Sequence, residues 1–544
     1  MGGRKRSRNT SGPAPKRRKA DTTNGQGDDD IPNPQSQPTA LSTSTFSVRT
    51  SHTAPEHIPS LAVICARAFA SNLQKLSSDP GMWEDVKYSL KHLPDALVQK
   101  VFAVLKQTRP ALLSHGFIAP YLLRGSSIAL SDDLPGVSRP TIFAIGDMPL
   151  KDNLRDLELT GFAKIADKVF ASVIAKLPSL RKLNLRHGRF IQSSFYPSLK
   201  MELVEALEVV NFNYTTVSPA SMAPLVFKCT RLEVLKVAGI ASWTDGACSR
   251  LWASFGSKED FHLPNLRSLK LRQAPLSDTP VNTILEACPN LLRLDLSFTQ
   301  IKNLVLPSNN LLEKLVLTST MVPSDRLVSL ISGLSRLQVL SLGAMGSNDF
   351  STTSMSSSPS GTTINDKTLR ALTDALEGSP DLERVSLVWN TRIGYNAMGG
   401  PDVALSHFIR RVGRRCKVRR IVNMGDAFEV FDLQQRLNLS GLLHLRSSNL
   451  EGLANPDGPE EGPSQLVYLN LNNTPVDDIA VPYISSCVNL KVLELAGTKI
   501  TKVGLFHILD ACPNLQTLDL TSCRGVKVGE RRQFFEVWEE WKNE

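Results

Sequence analysis

Eight cysteines, nine histidines and several dense runs of lysine and arginine are the residues with chemistry to offer in this 544-residue chain. Cys229, Cys288, Cys487 and Cys512 share one address, three residues ahead of the first leucine of a recurring L-x-x-L-x-L motif. Cys416 is one residue out of that register, and Cys523 follows the last motif by three. A cysteine that returns at one repeat position behaves as a small apolar core residue rather than as a reagent. A zinc site would call for C-x-x-C pairs, which the sequence lacks. It also lacks a P-loop, an H-E-x-x-H pair and a G-x-S-x-G elbow. No enzymatic activity, metal or cofactor is expected, and the chemistry left is that of non-covalent binding.

Charge is the second chemical resource. The chain has 62 Lys+Arg against 52 Asp+Glu, a net +10. Arg4, Lys5, Arg6, Arg8, Lys16, Arg17, Arg18 and Lys19 contribute +8 with no acid among the first twenty residues, which leaves 10 − 8 = +2 for the rest. The positive charge therefore belongs to a tail, and direct nucleic-acid contact by the whole protein is not expected. Arg4-Lys5-Arg6 and Lys16-Arg17-Arg18-Lys19 on a flexible spacer resemble a bipartite nuclear import signal, which implies an import receptor as partner and a nuclear location. A second cluster, Arg410, Arg411, Arg414, Arg415, Lys417, Arg419 and Arg420, reads as a solvated run. There is no apolar stretch of about 20 residues to span a bilayer and no apolar core of a secretory signal, so no membrane association is expected.

The elements that carry these groups follow from composition and period. Residues 1–56, rich in Ser, Thr, Pro, Gly and Asn, cannot bury enough apolar surface to order and read as a disordered tail. Leu61, Ile64, Cys65, Ala68, Phe69, Leu73 and Leu76 recur at three- and four-residue spacing and predict a helix capped at Ser60. Leu97, Val98, Val101, Phe102, Val104 and Leu105 predict another, opening at Pro94 or Asp95 and ended before Pro110. Residues 57–150 thus read as a small helical module and linker.

From Leu154 onward the L-x-x-L-x-L motif starts at Leu154, Leu180, Leu207, Leu232, Leu266, Leu291, Leu312, Leu337, Leu382, Leu466, Leu490 and Leu515, with a doubtful copy at Val418-Ile421. Spacings of mostly 21 to 27 residues are the leucine-rich-repeat period. Each unit, a short strand and a return helix, cannot bury its own apolar face, so units must stack. The fold class expected is an α/β leucine-rich-repeat solenoid, a horseshoe over residues 151–528, with disordered insertions near 346–366 and 450–465. Trp243, Cys248, Leu251, Trp252 and Phe255 predict an elongated outer helix in the long gap after Val237. Residues 529–544, with Phe534, Phe535, Val537, Trp538 and Trp541, predict a helix that caps the open end.

Strand residues between the leucines point away from the core and line the concave face. In the early repeats these include Lys182, Asn184, Arg186, Asn211, Lys236, Lys270, Arg272, Arg293 and Lys314, interrupted by Asp156, Glu158 and Asp295. Such a trough could steer an acidic or phosphorylated protein client. The late repeats offer Tyr468, Asn470, Asn472, Glu494, Asp519 and Thr521, a different chemistry.

The quartets Cys288-Pro289-Asn290-Leu291 and Cys512-Pro513-Asn514-Leu515 resemble the cysteine-containing leucine-rich-repeat family. The likeness covers residues 150–525, and it implies a substrate receptor of a cullin-type ubiquitin ligase, with an adaptor-binding helical motif ahead of the repeats. Ser60-Leu61-x-x-x-Cys65-x-x-x-Phe69 resembles the elongin-binding box, departing from it at Phe69, where the pattern has an aliphatic residue. Leu93-Pro94-x-x-Leu97-Val98-x-x-Val101-Phe102-x-x-Leu105 is similar both to the rest of that module and to the opening of an F-box. In this order the motifs resemble the fungal nucleotide-excision-repair leucine-rich-repeat subunits that join an elongin-containing ligase. The resemblance implies an elongin C- or Skp-type adaptor and a cullin as partners, with Leu61, Cys65, Phe69, Leu97 and Val101 at the adaptor contact. The alternative is a non-ligase scaffold in which the same side chains form the core of an N-terminal cap. A small-GTPase regulator is a third reading, but such proteins resemble longer repeats with an acidic tail.

Overall fold

The computed structural model describes residues 48–50, 60–188, 205–253, 262–307, 310–346, 364–395, 404–413, 435–454, 464–523 and 525–543. Residues 46–544 form one unit, and the import-signal residues lie outside the described part. Short strands stack in sequence order into one sheet. After β1 (Val48–Thr50) come β2 (Ser127–Ser131), β3 (Asp156–Thr160), β4 (Lys182–Asn184), β5 (Val209–Asn211), β6 (Val234–Lys236), β7 (Ser268–Lys270) and β8 (Arg293–Asp295). The series continues with β9 (Lys314–Val316), β10 (Val339–Ser341), β11 (Arg384–Ser386), β12 (Arg436–Asn438), β13 (Tyr468–Asn470), β14 (Val492–Glu494) and β15 (Thr517–Asp519). From β2 to β15 every neighbouring pair is parallel, whereas β1 runs antiparallel on the outer edge of β15.

Register is set by the leucines. Leu183, Val210, Leu235, Leu269, Leu294 and Leu315 pair in one file, all buried. A slip of one residue would turn that file outward. Burying each leucine stabilises by about 1.5–3 kcal/mol. The second residue past the last leucine of each motif from β3 to β15 is left-handed. Gly161, Gly239, Gly441 and Gly497 suit that position, but His187, Tyr214, Phe298 and Trp389 also adopt it. The turn is held by the next repeat: the His187 N–H donates to the Asn213 carbonyl and the Tyr214 N–H to that of Ala238. One residue later, the buried hydroxyls of Thr299, Thr320, Thr474 and Thr498 donate to the carbonyl of the motif's last leucine.

The cysteine register is structural. The Cys229 thiol donates to the Leu207 carbonyl and Cys512 to that of Cys487, each reaching the preceding repeat. Burial pushes the thiols of Cys229, Cys248, Cys288 and Cys512 up to about 12. Among the described residues no group of three or more His, Cys, Asp or Glu could hold a metal ion.

Several expectations need correction. β1 lies inside the 1–56 tail expected to be disordered, and the parallel run begins ahead of residue 151 at β2, whose motif is hidden because Gly125 stands where the first leucine would be, with Ile128 and Leu130 in register with Leu157 and Leu159. The strand between β11 and β13 is Arg436–Asn438, not Val418-Ile421, which falls outside the described residues. Ile364 is buried and Asn365 caps the helix Asp366–Glu377, so that insertion ends before 364. Ser447–Leu453 is a 3-10 helix with Leu450 and Leu453 in the core, so the other opens after it. The outer helix after Val237 includes Asp245–Ala253, and Phe255 is outside the described residues.

Candidate functional site: the outer face of the N-terminal module

Four helices precede the sheet: α1 (Leu61–Ser78), α2 (Pro80–His92), α3 (Asp95–Thr108) and α4 (His115–Tyr121). Ser60 stands at the α1 N-cap without a side-chain cap bond. Asp79 caps α2 by accepting from the N–H groups of Gly81 and Met82, a start missed in the sequence because Pro80-Gly81 reads as a break. The core face of α3 is Val98, Phe102 and Leu105, all buried. On its rim, Gln99 Nε2 donates to the Ser127 carbonyl at 3.2 Å and Lys106 Nζ to the Ala129 carbonyl at 3.0 Å. Two carbonyls of β2 at the start of the sheet thus gain side-chain partners. Burial holds the Lys106 ammonium below its ordinary 10.5.

Helix α1 packs on α3 through Ala66, Ala70 and Leu73 and shows its other side to solvent. Leu61 is 75% exposed and Ile64 46%, and Cys65 between the next turns is exposed too. The five sequence-predicted adaptor residues therefore do not form one surface. Leu61 and Cys65 face outward, while Phe69, Leu97 and Val101 are half-buried, with Phe69 and Val101 packed on the core. Helical drift explains the split: each four-residue step advances about 40° past a full turn, so Phe69 rotates inward relative to Leu61. Ile64 is the residue the motif reading left out, although its three-residue offset from Leu61 places it on the same side.

Of the basic residues, Lys182, Lys236, Lys270 and Arg293 lie on β4, β6, β7 and β8, while Arg186 and Arg272 follow β4 and β7, and their settings differ. Lys182 and Arg293 are exposed, Arg186, Lys236 and Arg272 half-buried, and Lys270 is 9% exposed. Lys182 stands 3.7 Å from Asp156 and Lys270 4.0 Å from Asp295. The Arg272 guanidinium lies 4.9 Å above the Phe298 ring, and Arg186 Nε donates to His187, whose ring stacks on Tyr214. Asn184, Asn211, Asp295, Asn470 and Asp519 accept the N–H two residues on, which is turn chemistry the sequence reading had given to a partner surface. In the late repeats Glu494 receives hydrogen bonds from Tyr468, Asn470 and Asn472. Of the second basic cluster, Arg411 pairs with Glu377 at 3.3 Å, and residues 414–420 lie outside the described part. At the far end, Phe534, Phe535 and Trp538 of the helix Val528–Asn543 are buried, whereas Val537 is exposed. No helix among the described residues is long and apolar enough to cross a membrane.

Comparison with known proteins sets these repeats beside others. Residues 194–311 match the family model of the leucine-rich repeats of the FBD-associated F-box protein At5g56370. Over 98 residues the chain is 34% identical to the Arabidopsis thaliana F-box protein At1g10780, which is 17% of this chain and 23% of that one. The chain thus spans about a quarter of the length of the curated relative it matches. Among solved structures, a yeast Rad7 and Elc1 complex aligns with a TM-score of 0.48 at 17% identity, covering 82% of this chain and 96% of that one. An internalin of Listeria monocytogenes aligns at 0.39 and 16% identity, covering 80% and 95%. The stacked strand-and-helix units give the chain a leucine-rich-repeat solenoid fold, and one segment of it is similar to the repeats of F-box proteins.

Proposed function

We propose that this protein is a nuclear substrate receptor of a cullin-type ubiquitin ligase that joins its adaptor through α1 and holds a client on the concave face. The observation that carries the reading is the division of α1 into two apolar faces. One packs on α3, and the other, Leu61, Ile64 and Cys65, stays exposed among the described residues. An amphipathic helix offering anchors at i, i+3 and i+4 fits helix-in-groove recognition. The elongin-box pattern names an elongin C-type partner, and the F-box-protein match of the repeats favours an adaptor of the Skp type. The proposal is a helix-in-groove contact and holds for either adaptor. The client is an acidic or phosphorylated protein segment lying along Lys182, Arg186, Lys236, Lys270, Arg272 and Arg293. Grip rather than bond-making is the task, and the tail clusters at Arg4–Arg6 and Lys16–Lys19 direct the protein to the nucleus.

Leu61→Asp tests this directly. The substitution sits on the surface and should leave stability within about 0.5 kcal/mol. Co-purification of an elongin C- or Skp-type adaptor from nuclear extract should fall at least tenfold, since buried apolar anchors are worth about 2 kcal/mol or more. Undiminished co-purification would remove the adaptor face. A fall in melting temperature with no adaptor in the wild-type preparation would favour a plain end cap, the role already filled by Gln99 and Lys106 of α3.

A further inference from the structure

The loops leaving β11 and β12 carry a surface that neither the adaptor face nor the basic wall uses. Trp389 is 39% exposed, Tyr395 61% and Leu443 47%. They are neighbours. The Trp389 ring lies across Gly441, where an added Cβ would meet it at 2.5 Å, and Tyr395 meets His444 edge-on with centroids 5.3 Å apart. Both aromatic residues thus border the run Gly441–His444 that bears Leu443, a run of roughly 10 Å.

The patch is also built rather than incidental. Trp389 holds a φ of +57° where four other repeats place glycine, a conformation costing a bulky residue about 1–2 kcal/mol. Two glycines fix its surroundings. Gly441, at φ +70°, is the floor under the indole, and Gly394, at φ +78°, lies so close to the His444 carbonyl that a Cβ there would approach it to 2.9 Å. Rings already held in place lose little freedom when a partner arrives. The margin is positive: the Arg392 guanidinium stands 5.8 Å from the Tyr395 ring centre, and Arg446 is exposed two residues past His444. The adjacent carboxylate, Asp366, is engaged by the Gly394 N–H at 2.7 Å. Trp, Tyr and Arg are the residue types enriched in binding hot spots.

We infer that Trp389, Tyr395 and Leu443 form a docking site for a short acidic peptide segment of a protein partner. An aliphatic or aromatic side chain of that segment seats against Trp389 and Leu443, and its carboxylates face the positive margin at Arg392 and Arg446. The site lies apart from the adaptor helix and does not depend on the ligase reading.

The test uses the full chain alone, with no adaptor present. Short fluorescent peptides with a central Leu or Phe flanked by Asp and Glu are titrated and followed by polarisation, beside the same peptides with Lys in place of each acid. The acidic set should bind and the lysine set should not. Leu443→Asp and Arg392→Glu should each weaken binding about tenfold or more at unchanged melting temperature, whereas Lys302→Glu, at an exposed lysine in none of these surfaces, should leave it as it was. Failure of the acidic set to bind, equal binding of the lysine set, or full affinity in Leu443→Asp would overturn the inference. So would loss of binding in Lys182→Glu, which would move the acidic peptide to the basic wall.

Discussion

The two ends of the solenoid solve the same problem differently. At the far end the helix Val528–Asn543 turns Phe534, Phe535 and Trp538 inward, and β1 pairs with the last strand. At the near end α3 seals the core with Val98, Phe102 and Leu105 and satisfies edge carbonyls with Gln99 and Lys106. Yet this end carries three further helices, α1, α2 and α4, and α1 leaves Leu61 and Ile64 in water. A cap needs one apolar face. The second face of α1 is surplus to sealing, and the proposed adaptor contact would cover it.

That contrast can be broken from either side. The largest effect is expected at the far end, where Trp538→Ala should cost about 3–5 kcal/mol and lower the first melting transition of the last repeats, read by calorimetry or amide exchange. A loss as large in Leu61→Asp would erase the difference between the ends. A smaller effect belongs to Lys106→Met, which removes a partner from the Ala129 carbonyl and should cost about 1 kcal/mol. It carries a pH signature. Burial lowers the Lys106 pKa in the folded chain, so between that value and 10.5 the unfolded chain binds the extra proton, and stability should rise with pH across that window. The rise should vanish in the methionine variant, and a rise that persists would assign it to another group. The smallest perturbation is chemical labelling. Iodoacetamide at neutral pH should modify Cys65 quickly while Cys229, Cys248, Cys288 and Cys512, with thiols pushed up to about 12, stay intact in native protein. Bound adaptor should slow the Cys65 reaction, and unchanged labelling would place the adaptor elsewhere.

Much of the architecture was legible because leucine recurs in one L-x-x-L-x-L pattern at a period of mostly 21 to 27 residues. Where the leucine is replaced the strand disappears from view. Gly125 hides β2, and the stretch Gln434-Gln435 ahead of Leu437 and Leu439 hides β12. Of the candidate site, Leu61 and Cys65 were readable from spacing, but spacing alone cannot assign the two sides of one helix. Phe69, Leu97 and Val101 carry the same apolar period and fall on the packed side because α3 is there to receive them. The Trp389 patch has no linear signature. Its residues come from two loops, some 50 positions apart, that meet because β11 and β12 pair in register.

The antiparallel strand β1 sets a tether. From Thr50 to Ser60 the chain has ten peptide steps, at most about 36 Å when fully drawn out. From β2 to β15 the inner wall runs thirteen strand spacings, about 62 Å at the usual 4.8 Å. Since Ser60 opens α1, whose partner α3 donates to β2, this link joins the elements at the two ends of the sheet by a leash shorter than the wall itself. Cutting the chain between Thr50 and Ser60 would untie β1 from the repeats and bare the outer edge of β15.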